Sequence, residues 1–161
     1  LPDAKTVGIL YTTSERNSEV QVEEAQKLLE KAGYKVVLKG ISTTNDVQDA
    51  TTSLMKDVDA VFVPTDNTVA STMTMIGELS VEYKVPVIGG STDMVDAGGL
   101  LTYGTNYEAL GRQTAKIAIK IIEGADPAEV AVEYPETVNL HVNEEMAKKL
   151  GIDVSELSVD E

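Results

Sequence analysis

The segment Lys5-Thr-Val-Gly-Ile-Leu-Tyr11, followed at once by the polar run Thr12-Thr-Ser-Glu-Arg-Asn-Ser18, decides the fold class. A short run of β-branched and apolar residues with a polar turn after it predicts a strand that is buried on both faces. Apolar residues then recur at helical spacing over residues 18–32 and stop at Gly33, which predicts a helix with a glycine just past its end. A buried strand followed by such a helix is the opening of a βαβ unit.

The same alternation continues along the chain. Further strands are predicted over residues 34–40, 59–64, 85–90 and 100–104, and further helices over residues 45–58, 66–83, 92–97 and 106–123. After Gly124 we predict extended segments within residues 130–142 and a short helix over residues 144–150. We therefore predict a three-layer α-β-α sandwich around a five- or six-stranded, mainly parallel sheet, as in flavodoxin-like and Rossmann-like lobes. This lobe is predicted to span residues 1–152, with an acidic tail over residues 153–161.

The composition excludes several functional classes. Thirteen Lys and Arg against 27 Asp and Glu give a formal net charge of −14, which argues against binding to nucleic acid or to an anionic membrane surface. The chain has no Cys and a single His, His141, which excludes disulfides, thiolate nucleophiles and the common zinc sites. The 161 residues, 42% of them hydrophobic, fit one globular domain of about 150 residues.

The start of the chain indicates a cut inside a longer protein. It lacks an initiator Met and runs from Leu1-Pro-Asp-Ala-Lys5 almost directly into the first strand. It also carries no signal peptide or lipidation motif. We therefore expect further sequence upstream, including any export signal.

The last long predicted helix is apolar around most of its circumference. Its apolar residues are Leu110, Ala115, Ile117, Ala118, Ile119, Ile121 and Ile122. A helix of this kind is buried on more than one side. Two interpretations stay open, a central helix deep in this domain and a helix that packs against something outside this chain.

The loops after the predicted strands are rich in short hydroxyl and amide side chains. Ligands of open parallel sheets bind at this edge, beyond the carboxyl ends of the strands. One polar residue per loop is explained by capping of the next helix, so the excess over one is what indicates a binding rim. Helix N-termini suit a carboxylate, and an acidic side chain in the rim suits an ammonium group. Asp66 is the first candidate for that ammonium and Asp93 the second, although both could be plain helix caps.

Enzyme motifs are missing from the sequence. There is no Gly-x-Gly-x-x-Gly, Walker or Gly-x-Ser-x-Gly motif after any predicted strand. His141 falls on the polar side of an alternating segment and is predicted to lie at the surface. Asp46, Asp57 and Asp59 could be likened to a phosphoacceptor cluster, but the first and fifth strands end without the acids and the Lys that such sites need. The acidic residues Glu15, Glu19, Glu23, Glu24 and Glu30 are predicted to form a solvated helix face.

Three stretches, residues 5–37, 59–72 and 85–124, carry a family resemblance. Their most selective motifs are Val63-Pro-Thr-Asp-Asn-Thr-Val-Ala-Ser71 and the Tyr-x-x-Leu-Gly-Arg-Gln-Thr run over residues 107–114. They resemble the C-terminal half of ABC-transporter solute-binding proteins with the type I periplasmic-binding-protein fold. The similar branch includes the binders of tryptophan and other aromatic amino acids in Gram-positive bacteria.

The resemblance implies two α/β lobes joined by a hinge, with the solute held between them. It implies that this chain is the second lobe, that residues 102–130 cross to a missing first lobe, and that the helix over residues 106–123 packs there or mediates a dimer of the fragment. Carried over by position, the ligand-facing residues are Ser14, Asn17, Ser18, Asp66, Asn67, Thr68, Ser91, Thr92 and Asn106. Asp66 is expected to pair with the α-ammonium of the solute, and Thr68 to add a polar contact.

The implied function is capture of a small solute, an amino acid and possibly an aromatic one, for delivery to an ABC permease. No catalytic residue, metal or cofactor is implied, and the location is outside the cell on a lipid anchor or in the periplasm. Tyr11 is the one stacking partner that this lobe offers to an aromatic solute. A small flavodoxin-like enzyme built on Asp66 and the ligand-sensing lobe of a regulator remain as alternatives.

Overall fold

The computed structural model describes residues 1–157. Its strands are β1 (Thr6–Thr12), β2 (Lys35–Ile41), β3 (Ala60–Phe62), β4 (Val87–Ile88), β5 (Leu101–Thr105) and β6 (Val138–Val142). Its helices are α1 (Arg16–Lys31), α2 (Val47–Met55), α3 (Asn67–Ala70), α4 (Met73–Tyr83), α5 (Thr92–Ala97), α6 (Tyr107–Ile122) and α7 (Glu144–Leu150), with one 3₁₀ turn at Thr44–Asp46. The sheet order is β2-β1-β3-β4-β5-β6, parallel except for the antiparallel pairing of β6 with β5. The predicted mainly parallel α/β fold is confirmed.

Two predicted helices are shorter or more broken than their apolar spacing indicates. The helix predicted over residues 66–83 is divided into α3 and α4 at Ser71 and Thr72. The Ser71 hydroxyl donates to the Thr68 carbonyl at 2.7 Å, and the Thr72 hydroxyl donates to the Val69 carbonyl at 2.8 Å. Hydroxyls that bond to nearby backbone compete with the helical pattern, which explains the break. The helix predicted over residues 45–58 ends at Met55.

The main core lies between the sheet and the helices α2 and α4. Leu10 and Val61 of the sheet pack there with Leu54, Met73 and Ile76, all of them buried. The opposite sheet face carries α1 and, beside it, an apolar groove of about 560 Å³. The groove is lined by residues that include Leu28, Leu29, Phe62, Ile88, Leu101 and Ile152.

The helix α6 lies with its apolar side chains at the surface of the described chain. Of its residues only Gln113 is buried, whereas Ile119 is 52% exposed and Ile122 is 83% exposed. The Gln113 amide donates to the Glu133 carboxylate and to the Tyr134 carbonyl, so it holds the segment that follows the helix. The interpretation of this helix as the buried centre of the lobe is therefore wrong. Within residues 1–157 most of its apolar residues are exposed, and Leu110 and Ile117 are half-buried.

The C-terminal part ends in a small second core. Met146 and Ala147 of α7 pack with Leu100, and the half-buried Val154 packs against them. The tail predicted from residue 153 is thus partly packed where the structure describes it, and its residues 158–161 lie outside the described residues. His141 is half-buried, and its Nε2 lies 2.6 Å from the Asp96 carboxylate. Within residues 1–157, no helix combines the length and the hydrophobicity that crossing a membrane requires.

Candidate functional site

Two loops meet at the edge where the parallel strands β1 and β3 end. We call residues 12–18, from the end of β1 to the first turn of α1, the first loop. Residues 63–68, from the end of β3 to the start of α3, are the second loop. Adjacent parallel strands bring the loops that follow them to the same edge of a sheet. The two loops contain six of the predicted ligand residues, Ser14, Asn17, Ser18, Asp66, Asn67 and Thr68.

Asp66 is the buried centre of this contact, with 1% of its surface exposed. Its Oδ2 accepts hydrogen bonds from the Thr12 backbone N–H and the Ser18 hydroxyl, both at 2.7 Å. Its Oδ1 accepts from the Thr12 hydroxyl at 2.8 Å and from the Val69 backbone N–H at 2.9 Å, which makes it the N-cap of α3. Four donors therefore engage both oxygens, and an ammonium group would have to displace at least one of them. Its pairing with an ammonium stays a prediction.

Glu15 is the functional candidate that the sequence reasoning missed. Its Oε2 accepts hydrogen bonds from the Asn67 backbone N–H at 3.0 Å and from the Asn67 side-chain amide at 3.1 Å. Its Oε1 accepts from the Thr68 backbone N–H at 3.0 Å and from the Thr68 hydroxyl at 2.9 Å. Burial alone would raise the pKa of Glu15, but these hydrogen bonds outweigh it and lower the pKa below its usual value. The prediction of a solvated helix face is wrong for Glu15, because it lies directly ahead of α1 and bonds to the second loop.

Two further bonds tie the first loop and α1 to the second loop. The Asn17 side-chain amide donates to the Thr65 carbonyl at 2.8 Å, and the Thr65 backbone N–H donates to the Gln21 side chain at 2.9 Å. The loop after β4 joins the contact, because the Thr65 hydroxyl donates to the Gly90 carbonyl at 3.2 Å. A methyl carbon at Gly90 would lie 2.4 Å from the carbonyl carbon of Pro64, so only glycine allows this approach. The edge is thus hydrogen-bonded across three loops.

The remaining predicted ligand residues lie outside this network. Ser14 is exposed, Ser91 and Thr92 are half-buried, and Ser91, the N-cap residue of α5, makes no side-chain capping bond. The side chain of Asn106 accepts from the Ala109 backbone N–H at 3.0 Å and so caps α6. Asp93, the second candidate for an ammonium, is exposed.

The other acidic residues of interest do not form a cluster. Asp46 caps the turn after β2, where its carboxylate accepts from the Thr43 backbone N–H at 2.9 Å. Asp59 lies at the opposite end of the sheet, where it accepts from the backbone N–H groups of Lys5 and Thr6, both at 2.8 Å. A phosphoacceptor site would need these carboxylates at one edge. Among residues 1–157 no group of three His, Cys, Asp or Glu side chains is placed to hold a metal ion.

Comparison with known proteins places this chain in a family. Residues 1–160 match the model of a family described as ABC transporter substrate binding protein. The chain belongs to this family of substrate-binding proteins. It is 36% identical over 159 residues to the tyrosine-binding protein of Clostridioides difficile strain R20291, a match that covers 99% of this chain and 46% of that protein.

Two solved structures extend the comparison. An ABC domain from Streptococcus pneumonia in complex with L-Trp has a TM-score of 0.88 and 36% identity, over 96% of this chain and 52% of that one. The ligand-free, open structure of a substrate binding protein with adhesive properties from Clostridium difficile has a TM-score of 0.78 and 41% identity, over 94% of this chain and 52% of that one. The chain therefore spans about half the length of the relatives that it matches.

Proposed function

We propose that this chain is one lobe of a two-lobed solute-binding protein that takes an aromatic amino acid. The observation that carries the proposal is the match to the domain in complex with L-Trp, at 36% identity and a TM-score of 0.88. The similarity to the tyrosine-binding protein supports the same class of solute. In proteins of this kind two lobes close on the solute by a hinge motion, and no bond is made or broken.

The helix α6 is the proposed contact with the other lobe, and residues 102–130 are the segment that crosses to it. The exposure of Ile119 and Ile122 supports this assignment, because apolar side chains on a helix surface need a partner. The relatives are about twice as long as this chain, so they contain enough sequence for a second lobe. A dimer of the isolated chain through the same helix is the competing outcome.

The proposed solute contact is the edge formed by the two loops and the loop after β4. Asp66 and Glu15 place two carboxylates there, which favours the ammonium end of a zwitterion over its carboxylate end. The hydroxyls of Ser14, Ser91 and Thr92 are the proposed polar contacts of this lobe. The Tyr11 ring lies beside Gly40 of the neighbouring strand β2, where a methyl carbon on Gly40 would be 3.6 Å from the ring. We therefore assign the stacking surface for an aromatic solute mainly to the other lobe.

The proposed partner is an ABC permease, and the proposed location is outside the cytoplasmic membrane, either on a lipid anchor or in the periplasm. The family match supports transport over the enzyme and regulator alternatives. The negative net charge of −14 is compatible with a zwitterionic solute, because a zwitterion carries no net charge for the field of the lobe to repel.

Thermal unfolding of the two-lobed protein with each of the 20 amino acids tests this proposal. A ligand that binds only the folded state at 100 times its Kd stabilises it by about 2.7 kcal/mol. Tyrosine, tryptophan or phenylalanine should raise the Tm, and ribose, added as a control sugar, should not. A Tm that rises with none of the three aromatic amino acids would contradict the proposal.

A further inference from the structure

Glu15 lies in the N-cap position of α1, yet its side chain makes no capping bond to its own helix. Instead its two oxygens collect all four hydrogen bonds from Asn67 and Thr68 of the second loop. A glutamate side chain surrounded by solvent would not accept four hydrogen bonds from protein donors in one conformation. We propose that Glu15 is a positioning residue, which fixes the second loop against the first so that the solute-facing edge is formed before the solute arrives.

The geometry requires a carboxylate at this position. A carboxylate has acceptor sites on both oxygens and no hydrogen to donate, which matches two pairs of converging donors. In Glu15→Gln the side-chain NH₂ would face the donor pair of either Asn67 or Thr68, so the backbone N–H of that residue would lose its acceptor and its side chain would have to turn round to accept. The size of the side chain would hardly change, so this substitution isolates the hydrogen bonds from the packing.

The other strong link between the loops cannot replace Glu15. Asp66 bonds to Thr12, Ser18 and Val69, and none of its bonds reaches the side chain of Asn67 or Thr68. Asn67 is exposed and Thr68 is only half-buried, so packing does not hold their side chains either. Without Glu15 these two residues become free to change rotamer, and a solute must then pay for ordering them.

This inference rests on the proposed function. The expected change in Kd follows from the cost of ordering these two side chains. Fixing two side chains on binding weakens affinity by roughly tenfold or more. Glu15→Gln in the two-lobed protein should therefore raise the Kd for L-tyrosine or L-tryptophan about tenfold. The matched control is Glu19→Gln, which removes the same charge one turn along α1, where the Glu19 carboxylate pairs with the exposed Arg16. It should leave the Kd within about twofold of the wild-type value.

Calorimetric titration well below the Tm separates positioning from general stability, because a purely structural role would lower the Tm and leave the Kd unchanged. Thr68→Val provides the second variant, and serves alone if Glu15→Gln does not fold. If the Thr68 hydroxyl acts through Glu15, Thr68→Val should weaken binding in the wild-type background and add little in the Glu15→Gln background.

Equal Kd values for the wild type and Glu15→Gln would overturn the inference, as would full additivity of the two substitutions. A wild-type protein that binds no amino acid would overturn the proposed function and this inference with it. The two failures are thus told apart by the wild-type titration.

Discussion

Glu15 and Asp66 brace the same two loops in opposite directions. The carboxylate of Asp66, in the second loop, accepts from the Thr12 backbone N–H at 2.7 Å, and the carboxylate of Glu15, in the first loop, accepts from the Thr68 backbone N–H at 3.0 Å. Each loop thereby satisfies backbone donors of the other, which neither could satisfy alone. The two loops are thus hydrogen-bonded into one unit, which the proposed closure of two lobes on a solute would move as one body.

Asp66→Asn should destabilise the lobe strongly. The carboxylate is buried and accepts four hydrogen bonds, and an amide would turn an NH₂ group toward two of those donors. One donor of each pair is a backbone N–H that cannot turn round to accept, and a hydrogen bond to a charged group is worth about 1.5–3 kcal/mol, so we expect a loss of about 2–3 kcal/mol in the free energy of unfolding. Urea unfolding measures it, with the exposed Asp93→Asn as the control at less than about 0.5 kcal/mol. Equal losses for both variants would contradict the role of Asp66.

Gly77→Ala and Gly111→Ala should have opposite effects on stability, although both lie within helices. A methyl carbon at Gly77 would lie 2.7 Å from the Cα of Gly98, so α4 would have to move away from the chain that follows α5. The same carbon at Gly111 of α6 meets no atom within 4 Å. We expect Gly77→Ala to cost about 1–3 kcal/mol and Gly111→Ala to gain about 0.5–1 kcal/mol. Thermal or urea unfolding of both variants tests the sign, and a gain at Gly77 would contradict the observed approach.

Acid should weaken the lobe partly through Asp59. The backbone N–H groups of Lys5 and then Thr6 donate to its carboxylate and hold its pKa below the usual value. A lowered folded-state pKa means that the contribution is fully present above the usual Asp pKa and is lost as the pH falls through the lowered one. Asp59→Asn should therefore reduce the urea midpoint at pH 7 and have a smaller effect at pH 3. An effect of equal size at both values would contradict the assignment.

The exposed face of α6 should make the isolated 161-residue chain self-associate or bind an apolar dye. Ile119→Lys with Ile122→Lys should reduce both, because these side chains are exposed and apolar. Thr114→Lys, on an exposed polar position of the same helix, is the control and should change neither. Light scattering and dye fluorescence measure the two effects. A wild-type chain that is strictly monomeric and binds no dye would contradict the assignment of α6 as a contact surface.

Most of the fold could be predicted because residues close together in the sequence determine its strands and helix ends. Short β-branched runs such as residues 5–11 locate the buried strands, and Gly33 and Gly151, with φ of 93° and 72°, terminate the helices that precede them. The break between α3 and α4 could not be read from apolar spacing, because side-chain hydroxyls of Ser71 and Thr72 cause it. Periodicity also left α6 with two interpretations, since an apolar helix looks the same whether its partner is inside the lobe or elsewhere.

The candidate site was predicted as an edge but not as a network. Short polar residues marked the loops after all five predicted strands, and the pairing of β1 with β3 brings two of these loops together. The partner of Glu15 lies 52 residues away in the chain, so neither helical spacing nor capping rules could reveal it. Asp66 presents the same difficulty, because the sequence looks the same whether this aspartate is a buried helix cap or binds an ammonium group.

The central claim is that this lobe supplies half of a site for an aromatic amino acid, and calorimetric titration tests it most directly. L-tyrosine and L-tryptophan would be titrated into the two-lobed protein and, at the same concentration, into the isolated chain. We predict saturable one-to-one binding to the two-lobed protein and far weaker binding to the isolated chain, because a single wall leaves the solute in water. Binding of equal strength to the isolated chain, or no binding of any aromatic amino acid to the two-lobed protein, would contradict the claim.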